Sequence, residues 1–385
     1  MSFEQISSDV ILFLILYGIT GTIPFMAAIY LLLRRGNAFA PSVTPPLRLR
    51  RWAASFFAVS ALGHVWWYLF YVYSGDVNSP SYVLVAVVDC LALLTTIAGT
   101  LLAMLQDRKR PVWPVLAALA PFLVIGGWQL FYPNEHFMTI TTVYILSIYT
   151  IFSVYMVFAV RRYGRWLNDN YADLENKKVW LSQTVSLSCL LLLILYALVD
   201  VETILIYILH IIELVLFVLL LWRVETLPLL AEPSPITEPQ SPITHHPSPI
   251  TEPPSPITEH PSPQNVLTTI DLAQIEQLLT EHCVATKLYL QHDLSSLQLA
   301  QAIGTNRFYL SQYFSRQGIT YNTYINNLRI NYFISRYQEA VSAQQTFRVQ
   351  QLANESGYHS YSTFSLAFKQ RMGQSVTAWM RQTAE

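Results

Sequence analysis

Residues 294–318 read LSSLQLAQAIGTNRFYLSQYFSRQG, and this stretch determines how the C-terminal part of the chain is interpreted. Leu297, Ala300 and Ile303 recur at helical spacing and predict a short amphipathic helix. Gly304 then permits a sharp turn into a second helix, as glycine does where the backbone reverses. The stretch therefore predicts two short helices joined by a tight turn.

The second of these helices has two different faces. Thr305 or Asn306 can cap its start. Its apolar face consists of Leu310, Tyr313 and Phe314. Its opposite face shows Phe308, Ser311, Gln312 and Ser315. A helix with this layout fits the major groove of double-stranded DNA.

Residues 347–373, FRVQQLANESGYHSYSTFSLAFKQRMG, repeat this organisation. Gly357 marks the turn and Ser360 is a candidate cap. The inner face of the following helix consists of Phe364, Ala367 and Phe368. Its outer face carries Tyr361, Ser362, Ser365 and Lys369. The sequence therefore predicts a second helix-turn-helix.

A helical stretch from Tyr321 to Gln338 separates the two motifs, with its apolar side formed by Tyr324, Ile325, Leu328 and Phe333. Two three-helix units on one spacer helix would present two recognition helices to successive major grooves, about 34 Å apart. The net charge from Lys287 onward is +5, from nine Lys and Arg against four Asp and Glu, which suits contact with phosphates.

Residues from about Lys287 to Arg381 resemble the DNA-binding domain of the AraC/XylS regulators. The resemblance is carried by LSSLQLAQAIG, the YLSQYF core, Gly318, Arg329, LANESGY and TFSLAFKQRMG, in this order. It implies base contacts from Phe308, Ser311 and Gln312 in the first recognition helix, and from Tyr361, Ser362 and Ser365 in the second. The full candidate DNA-binding set adds Arg307, Ser315 and Lys369. The alternative is a helical protein-interaction domain with the same fold.

Three positions depart from the family pattern. Phe333 stands where a small residue is usual, which changes the packing of the spacer. Leu366 stands where an Arg is common, so the second recognition helix would read fewer bases. Val376 replaces an expected proline, which would leave the start of the last helix less defined.

The N-terminal part of the chain is apolar. The 385 residues are 53% hydrophobic and only 12% charged, against roughly 25% charged in soluble domains. Runs of spanning length lie at about 10–33, 52–73, 82–105, 111–131, 138–160, 179–199 and 203–222, each with roughly the 20 residues that a bilayer core requires. The sequence thus predicts an all-α protein with a seven-helix transmembrane domain, and the first run is too long and too acidic at its start for a cleaved signal peptide.

Positive charge alternates between the loops. Lys and Arg follow the first, third, fifth and seventh runs, at Arg34, Arg35, Arg48, Arg50, Arg51, Arg108, Lys109, Arg110, Arg161, Arg162, Arg165, Lys177, Lys178 and Arg223. The N-terminus and the other loops carry acids and no Lys or Arg. The positive-inside rule therefore predicts a multi-pass protein of the bacterial inner membrane, with the N-terminus outside and the C-terminal domain in the cytoplasm.

A low-complexity segment joins the two parts. From Pro233 the chain repeats SPIT every seven residues, and the proline in each repeat forbids a continuous helix. The predicted domains are therefore 1–227 in the membrane, a Pro-rich disordered tether at 228–264 and a DNA-binding domain at 265–385. At about 3.1 Å per residue in polyproline-II, the tether would reach on the order of 115 Å. The alternative is a proline-rich docking site for a partner.

Polar side chains are few within the runs, and four of them are candidates for a sensing site: His64, Asp89, His210 and Glu213. They are expected to converge on a cavity in the outer half of the bundle, lined by Trp66, Trp67, Trp128 and Tyr207. The signal would be a small molecule or a proton, since histidine titrates near neutral pH. The alternatives are hydrogen bonds that only hold the helices together, or, more weakly, a metal site.

The sequence gives no frame for catalysis. HIIE at His210 lacks the second histidine of a zinc-protease motif, and no glycine-rich phosphate loop precedes a helix. The three cysteines show neither metal spacing nor a disulfide framework. We therefore predict no enzyme activity, no catalytic residue, no cofactor and no metal.

The resulting hypothesis is a membrane-tethered, one-component transcription regulator that binds promoter DNA as a homodimer. Two other classes remain open: a membrane receptor or transporter whose C-terminal domain binds protein, and a DNA-binding protein on an inert anchor.

Overall fold

The computed structural model describes residues 8–34, 36–76, 79–132, 137–174, 176–196, 203–230 and 270–384. Every element in these ranges is a helix, which confirms the predicted all-α fold. The chain divides into two compact units. Met1–Gly164 and Asn176–Glu232 form the first unit, and Arg165–Glu175 with Pro233–Glu385 form the second.

In the described part of the chain, the first unit contains seven helices. They are α1 (Ser8–Leu33), α2 (Leu47–Tyr73), α3 (Pro80–Ala103), α4 (Trp113–Phe131), α5 (Phe137–Asn170), α6 (Trp180–Tyr196) and α7 (Thr203–Thr226). Six of them are long and apolar enough to cross a membrane. Helix α6 is shorter in the described part of the chain, and residues 197–202, at the end of the predicted sixth run, lie outside it. The count of seven spans is therefore approximate.

Helix α5 differs most from its prediction. It continues to Asn170, ten residues beyond the predicted run, so Arg161, Arg162 and Arg165 lie on the helix instead of in a loop. The reason is local, since nothing between Val160 and Asn170 is a strong helix breaker apart from the tolerated Gly164. The last residues of this helix belong to the second unit.

Helices α1, α2, α3 and α7 form the centre of the first unit, because α2 packs against the other three and α1 also packs against α7. Small residues allow the close approach of α1 and α2. A Cβ at Gly21 would lie only 3.4 Å from the Cβ of His64. Close contact through small residues is the usual way in which membrane helices associate.

Ion pairs and hydrogen bonds join the ends of these helices at which the basic residues cluster. Arg34 pairs with the buried Glu225, and Arg110 pairs with Asp107 at 2.6 Å. Arg223 donates to the backbone carbonyl of Lys178 at 2.7 Å. Several of the charges that set the predicted orientation thus also hold the helix ends together.

Residues 228–230, the described start of the predicted tether, are bound to the first unit. The backbone N–H of Leu229 donates to the carbonyl of Thr44 at 2.8 Å. Gln106 both donates to the carbonyl of Pro228 and accepts from the N–H of Leu230, each at 2.9 Å. The repeats of the tether itself lie outside the described residues.

Between residues 270 and 384, the second unit contains seven further α-helices: α8 (Ile270–Leu279), α9 (Ser296–Ala302), α10 (Arg307–Arg316), α11 (Tyr321–Ser342), α12 (Val349–Glu355), α13 (Tyr361–Met372) and α14 (Val376–Ala384). A π-helical turn, Thr280–Val284, and a 3₁₀ turn, Leu288–Leu290, connect α8 to α9. Helices α9–α10 and α12–α13 are the two predicted helix-turn-helix pairs.

The long helix α11 contributes to two separate cores. Tyr321 and Ile325 pack with the first motif, and Ile330, Phe333 and Tyr337 pack with the second. The side chain of Phe333 is fully buried, with its ring centroid 4.4 Å from that of Phe364. This bulky residue fills the second core, as expected from its departure from the family pattern.

Candidate nucleic-acid interface and membrane cavity

Helix α10 is oriented by its cap and its apolar face. The side chain of Asn306 accepts from the backbone N–H of Tyr309 at 3.0 Å, so Asn306 caps the helix. Gly304 has a φ of +72° at the turn, as the sequence predicted. The apolar face is buried through Leu310, Tyr313 and Phe314.

The opposite face of α10 is available to a partner. Phe308, Ser311 and Ser315 are exposed, and Gln312 is half-buried. Hydroxyl and amide side chains on one helix face can donate to and accept from base edges in a major groove.

Arg307, at the start of α10, has different surroundings from the rest of that face. It is half-buried beside Asp169 and Tyr171, which belong to the 165–175 segment of the same unit. Burial lowers the pKa of Arg307, and the proximity of Tyr171 and Asp169 opposes this shift. Of the candidate DNA-binding residues on α10, Arg307 is therefore already engaged within the protein.

The 165–175 segment is held on the first motif by several hydrogen bonds. The side-chain amide of Asn322 donates to the carbonyl of Tyr171 at 3.0 Å and to that of Ala172 at 2.6 Å. Ser296 donates to the side-chain oxygen of Asn170 at 3.0 Å. Ala172 is buried in the first core. Nothing in the sequence predicted this contact, because a short polar loop has no hydrophobic periodicity that would indicate how it packs.

Helix α13 presents the second candidate surface. Ser360 caps it by accepting from the N–H of Thr363 at 3.2 Å, as predicted. Phe364 and Phe368 are buried. Tyr361, Ser362 and Lys369 are exposed and Ser365 is half-buried. Leu366, at the position where an Arg is common, is 53% exposed on the same helix.

Two further arginines near these helices donate hydrogen bonds to other parts of the domain. Arg329 of α11 is fully buried, and its Nε donates to the carbonyl of Tyr289 at 2.7 Å. Its guanidinium also lies 5.4 Å from the ring centroid of Tyr358. Arg371 of α13 donates to the side-chain oxygen of Asn331 at 2.6 Å. Burial lowers the pKa of Arg329, whose charge therefore serves the fold of the domain, whereas Arg371 is exposed.

Helix α14 begins with a serine cap, although Val376 in place of a proline was expected to leave its start less defined. The N–H of Ala378 donates to the side chain of Ser375 at 3.2 Å, and Val376 is buried. The side chain of Ser375 thus satisfies one backbone donor in the first turn of α14, in the absence of the proline that the family pattern has at residue 376.

The first unit contains a cavity of about 830 Å³. All four predicted polar residues, His64, Asp89, His210 and Glu213, line it. Of the predicted aromatic neighbours, Trp67 lines the cavity, whereas Trp66, Trp128 and Tyr207 do not. Trp128 is 63% exposed and stacks on Tyr132, because the outward face of α4 carries it away from the interior. Two lining residues that the sequence did not single out are Phe13 and Tyr17 on α1.

Asp89 lies on one side of the cavity. Its Oδ2 accepts from the indole N–H of Trp67 at 3.0 Å, and its Oδ1 is buried without a hydrogen-bond partner among the described residues. Gly63 makes room for it, since a Cβ there would lie 3.0 Å from Oδ1. A buried carboxylate oxygen that lacks a partner is costly in an apolar setting.

His64, His210 and Glu213 lie together on another side. The Oε2 of Glu213 is 3.7 Å from the Nε2 of His64 and 3.6 Å from the Nδ1 of His210. The buried hydroxyl of Thr20 lies 3.1 Å and 3.3 Å from the same two nitrogens. Helices α1, α2 and α7 thus each contribute to one polar cluster.

Comparison with known families matches residues 299–382 to the model described as a helix-turn-helix domain, of the AraC type. The C-terminal region is therefore an AraC-type helix-turn-helix domain, in a chain that also carries apolar helices of membrane-spanning length. Neither the search of curated proteins nor that of solved structures found a match.

Proposed function

We propose that the chain is a membrane-tethered, one-component transcription regulator whose helix bundle senses a cue and whose AraC-type domain binds promoter DNA sequence-specifically. The observation that carries this proposal is the pair of capped helices α10 and α13. Each buries an apolar face and exposes hydroxyl, amide or basic side chains, in a domain matched to a DNA-binding family.

The proposed location is the bacterial inner membrane, with the C-terminal domain in the cytoplasm. The alternation of basic loops supports this topology, and cytoplasmic placement is what access to DNA requires. A reporter that is active only in the cytoplasm should be active when it is fused after Glu385. A periplasmic signal from that fusion would contradict any role in gene control.

Genome-wide occupancy of a tagged full-length protein tests DNA binding. We expect discrete sites that disappear in a Ser311→Ala/Gln312→Ala variant, because these side chains face away from the core. Gln317→Ala, at the end of the same helix, serves as the matched control and should leave the sites occupied. If the double variant keeps every site, the domain binds something other than DNA bases.

We further propose that the regulator acts as a homodimer on DNA. A flexible proline-rich tether transmits no rigid torque, so a signal would reach the DNA through self-association of the bundle. Pairing two tethered domains raises their effective concentration at a repeated operator. Blocking self-association of the bundle should therefore reduce occupancy. If residues 265–385 alone bind the operator as tightly as the embedded protein, this route loses its support.

The cavity in the first unit is the proposed sensing site. Its volume lies in the range of roughly 300–1,000 Å³ typical of ligand sites. His210→Ala and Asp89→Asn variants that reach the membrane at normal levels should respond abnormally to the cue. A normal response would assign these side chains to holding the bundle together.

A further inference from the structure

We propose that His64, His210 and Glu213 bind a divalent transition-metal ion of the Zn²⁺ class, and that this ion is a signal for the regulator. The inference deepens the proposed function by naming the ligand class of its sensing cavity. It rests on the proposed role of that cavity and on the geometry of the three side chains.

The first argument is the distance between the donor atoms. The ligand atoms of His64, His210 and Glu213 all lie within 4.8 Å of one another. The carboxylate oxygen is 3.7 Å and 3.6 Å from the two imidazole nitrogens. In a tetrahedral zinc site with bonds of about 2.0–2.2 Å, donors lie roughly 3.3–3.5 Å apart. Small side-chain rotations therefore suffice to close the site around an ion.

The second argument is the tautomer of His64. Its Nδ1 lies 2.9 Å from the backbone carbonyl of Ser60, which can only accept a hydrogen bond. Nδ1 must therefore carry the proton, and the neutral ring presents its Nε2 lone pair to Glu213 and Thr20. A carbonyl that orients the second ring nitrogen is the usual support of a metal-bound histidine.

The third argument is an excess of lone pairs. The hydroxyl of Thr20 has one hydrogen, and the carbonyls of Leu16 and Tyr17, at 3.0 Å and 3.2 Å, compete for it with the Nε2 of His64 at 3.1 Å, while the Nδ1 of His210 lies 3.3 Å away. The carboxylate of Glu213 adds further lone pairs and no donor. A cation between His64, His210 and Glu213 would accept lone pairs from both imidazoles and from the carboxylate.

The donor set favours a transition metal over a hard cation. Two imidazoles and one carboxylate suit Zn²⁺ and its neighbours, whereas Ca²⁺ and Mg²⁺ prefer oxygen ligands. Three protein ligands also leave a coordination position for water, which is typical of open zinc sites. The side chains are 13% exposed for each histidine and 21% for Glu213, so the cluster is shielded but open to the cavity.

The position of the cluster connects the ion to the outside and to the tether. The cavity extends along α2 to Tyr71 and Val72 and is lined by Tyr82 of α3, at the end of the bundle that the loop charges place outside. His210 and Glu213 lie on α7, the last helix before the tether. An ion bridging α2 and α7 would therefore fix the helix from which the DNA-binding part of the chain continues.

Zinc binding to the purified full-length protein in nanodiscs tests the proposal, by competition with a fluorescent chelator after metal removal. The background carries His245→Ala, His246→Ala and His260→Ala, because these tether histidines can bind metal by themselves. We expect one Zn²⁺ per chain, with affinity reduced at least about 100-fold by His64→Gln or His210→Gln and reduced by Glu213→Gln.

His359→Ala is the matched control, because His359 is an exposed histidine in the other candidate group, with the exposed Asp293 and the buried Asp173 of the second unit. It should leave the affinity unchanged. If His359→Ala removes binding and the His64 and His210 variants do not, the membrane site is wrong. Should the wild-type background bind no Zn²⁺ while the two histidines titrate together, the cluster binds a proton, and the metal proposal is overturned.

Co²⁺ substitution gives a readout that does not depend on variants folding. Visible absorption of Co²⁺-loaded protein should show four-coordinate nitrogen and oxygen ligation, and its absence would contradict the site. The DNA experiment remains separate. If the protein with all three ligands intact binds no Zn²⁺ while its promoter occupancy is intact, this inference alone is overturned, whereas an absence of DNA occupancy in every condition overturns the proposed function.

Discussion

The Nε of Arg329 donates to the backbone carbonyl of Tyr289 at 2.7 Å, from the middle of α11 to the 3₁₀ turn that precedes the first helix-turn-helix. The same guanidinium donates through Nη2 to the carbonyl of Gln291 at 2.8 Å. The backbone of Gly357, in the turn of the second motif, lies close to the same Nε. One buried side chain thus joins the spacer helix to the connecting segment, beside the turn of the second motif.

Removal of this side chain should destabilise the second unit. Arg329→Met keeps the aliphatic volume but leaves the buried carbonyl of Tyr289 and the half-buried carbonyl of Gln291 without this donor, at a cost of about 3 kcal/mol. Denaturant unfolding of the full-length protein, followed by labelling of Cys283, measures the change. Arg336→Met, on an exposed part of the same helix, is the control and should cost little. Equal effects of the two substitutions would contradict the role assigned to Arg329.

Gly357 should tolerate a side chain less well than Gly318. Both have positive φ, +88° and +67°, so an alanine at either position costs about 1–2 kcal/mol of backbone strain. A Cβ at residue 357 would also lie 2.8 Å from the carbonyl oxygen of Leu290 and 2.9 Å from Nε of Arg329, whereas nothing lies within 4 Å at residue 318. Gly357→Ala should therefore lower the free energy of unfolding clearly more than Gly318→Ala does. Similar losses would refute the close approach.

Cys283 should be unreactive until the second unit opens. It is fully buried, and burial raises its pKa from 9.0 to about 11. The native thiol is then protonated at pH 8, and labelling requires opening of the fold. The experiment uses a Cys90→Ala/Cys189→Ala background, so that only one thiol remains. Rapid labelling under native conditions would show that the π-helical turn is open.

The same shift gives a pH dependence. Because the folded-state pKa of Cys283 is raised, its contribution to stability is complete below about pH 9 and is lost as the pH rises towards about 11. Cys283→Ala should flatten this part of the stability profile. Tyr321 and Tyr324, whose pKa values burial also raises, contribute further loss at higher pH and remain in the variant.

The two classes of candidate DNA contact should behave differently. Gln312→Ala should cost about 1–3 kcal/mol at the preferred operator and relax its sequence preference, because an amide reads a base edge. Lys369→Ala should weaken binding to all sequences and reduce the slope of log affinity against log salt by about 1, because an exposed lysine contacts phosphate. Titrations of the full-length protein with operator and scrambled DNA at several salt concentrations distinguish the two. Identical effects of the two variants would contradict the assignment.

Asn322 should hold the 165–175 segment in place. Asn322→Ala removes its hydrogen bonds to the carbonyls of Tyr171 and Ala172. Hydrogen exchange of residues 171–174 should become faster, since the segment loses partners that keep it docked. Asn327→Ala, one turn further along α11, keeps both bonds and is the control. Unchanged exchange in Asn322→Ala would assign the docking to the remaining contacts, which include the burial of Ala172 and the hydrogen bonds from Ser296 and Asn326.

The sequence by itself determined the helices and the character of both units. Helical spacing of Leu297, Ala300 and Ile303, the caps at Asn306 and Ser360 and the glycine turns are local signals, each read within a few residues. Spanning length and apolar composition are also local, which is why six long apolar helices agree with the predicted runs.

Only the tertiary structure decided which distant side chains meet. The sequence proposed that four polar residues converge, but the positions of α1, α2 and α7 place Thr20 between His64 and His210 and set Trp128 apart from the cavity. The docking of 165–175 beside Arg307, and the burial of Arg329 between two motifs, likewise depend on residues far apart in the chain. Pairing of this kind is fixed by helix rotation and packing, which leave no periodic signal in the sequence.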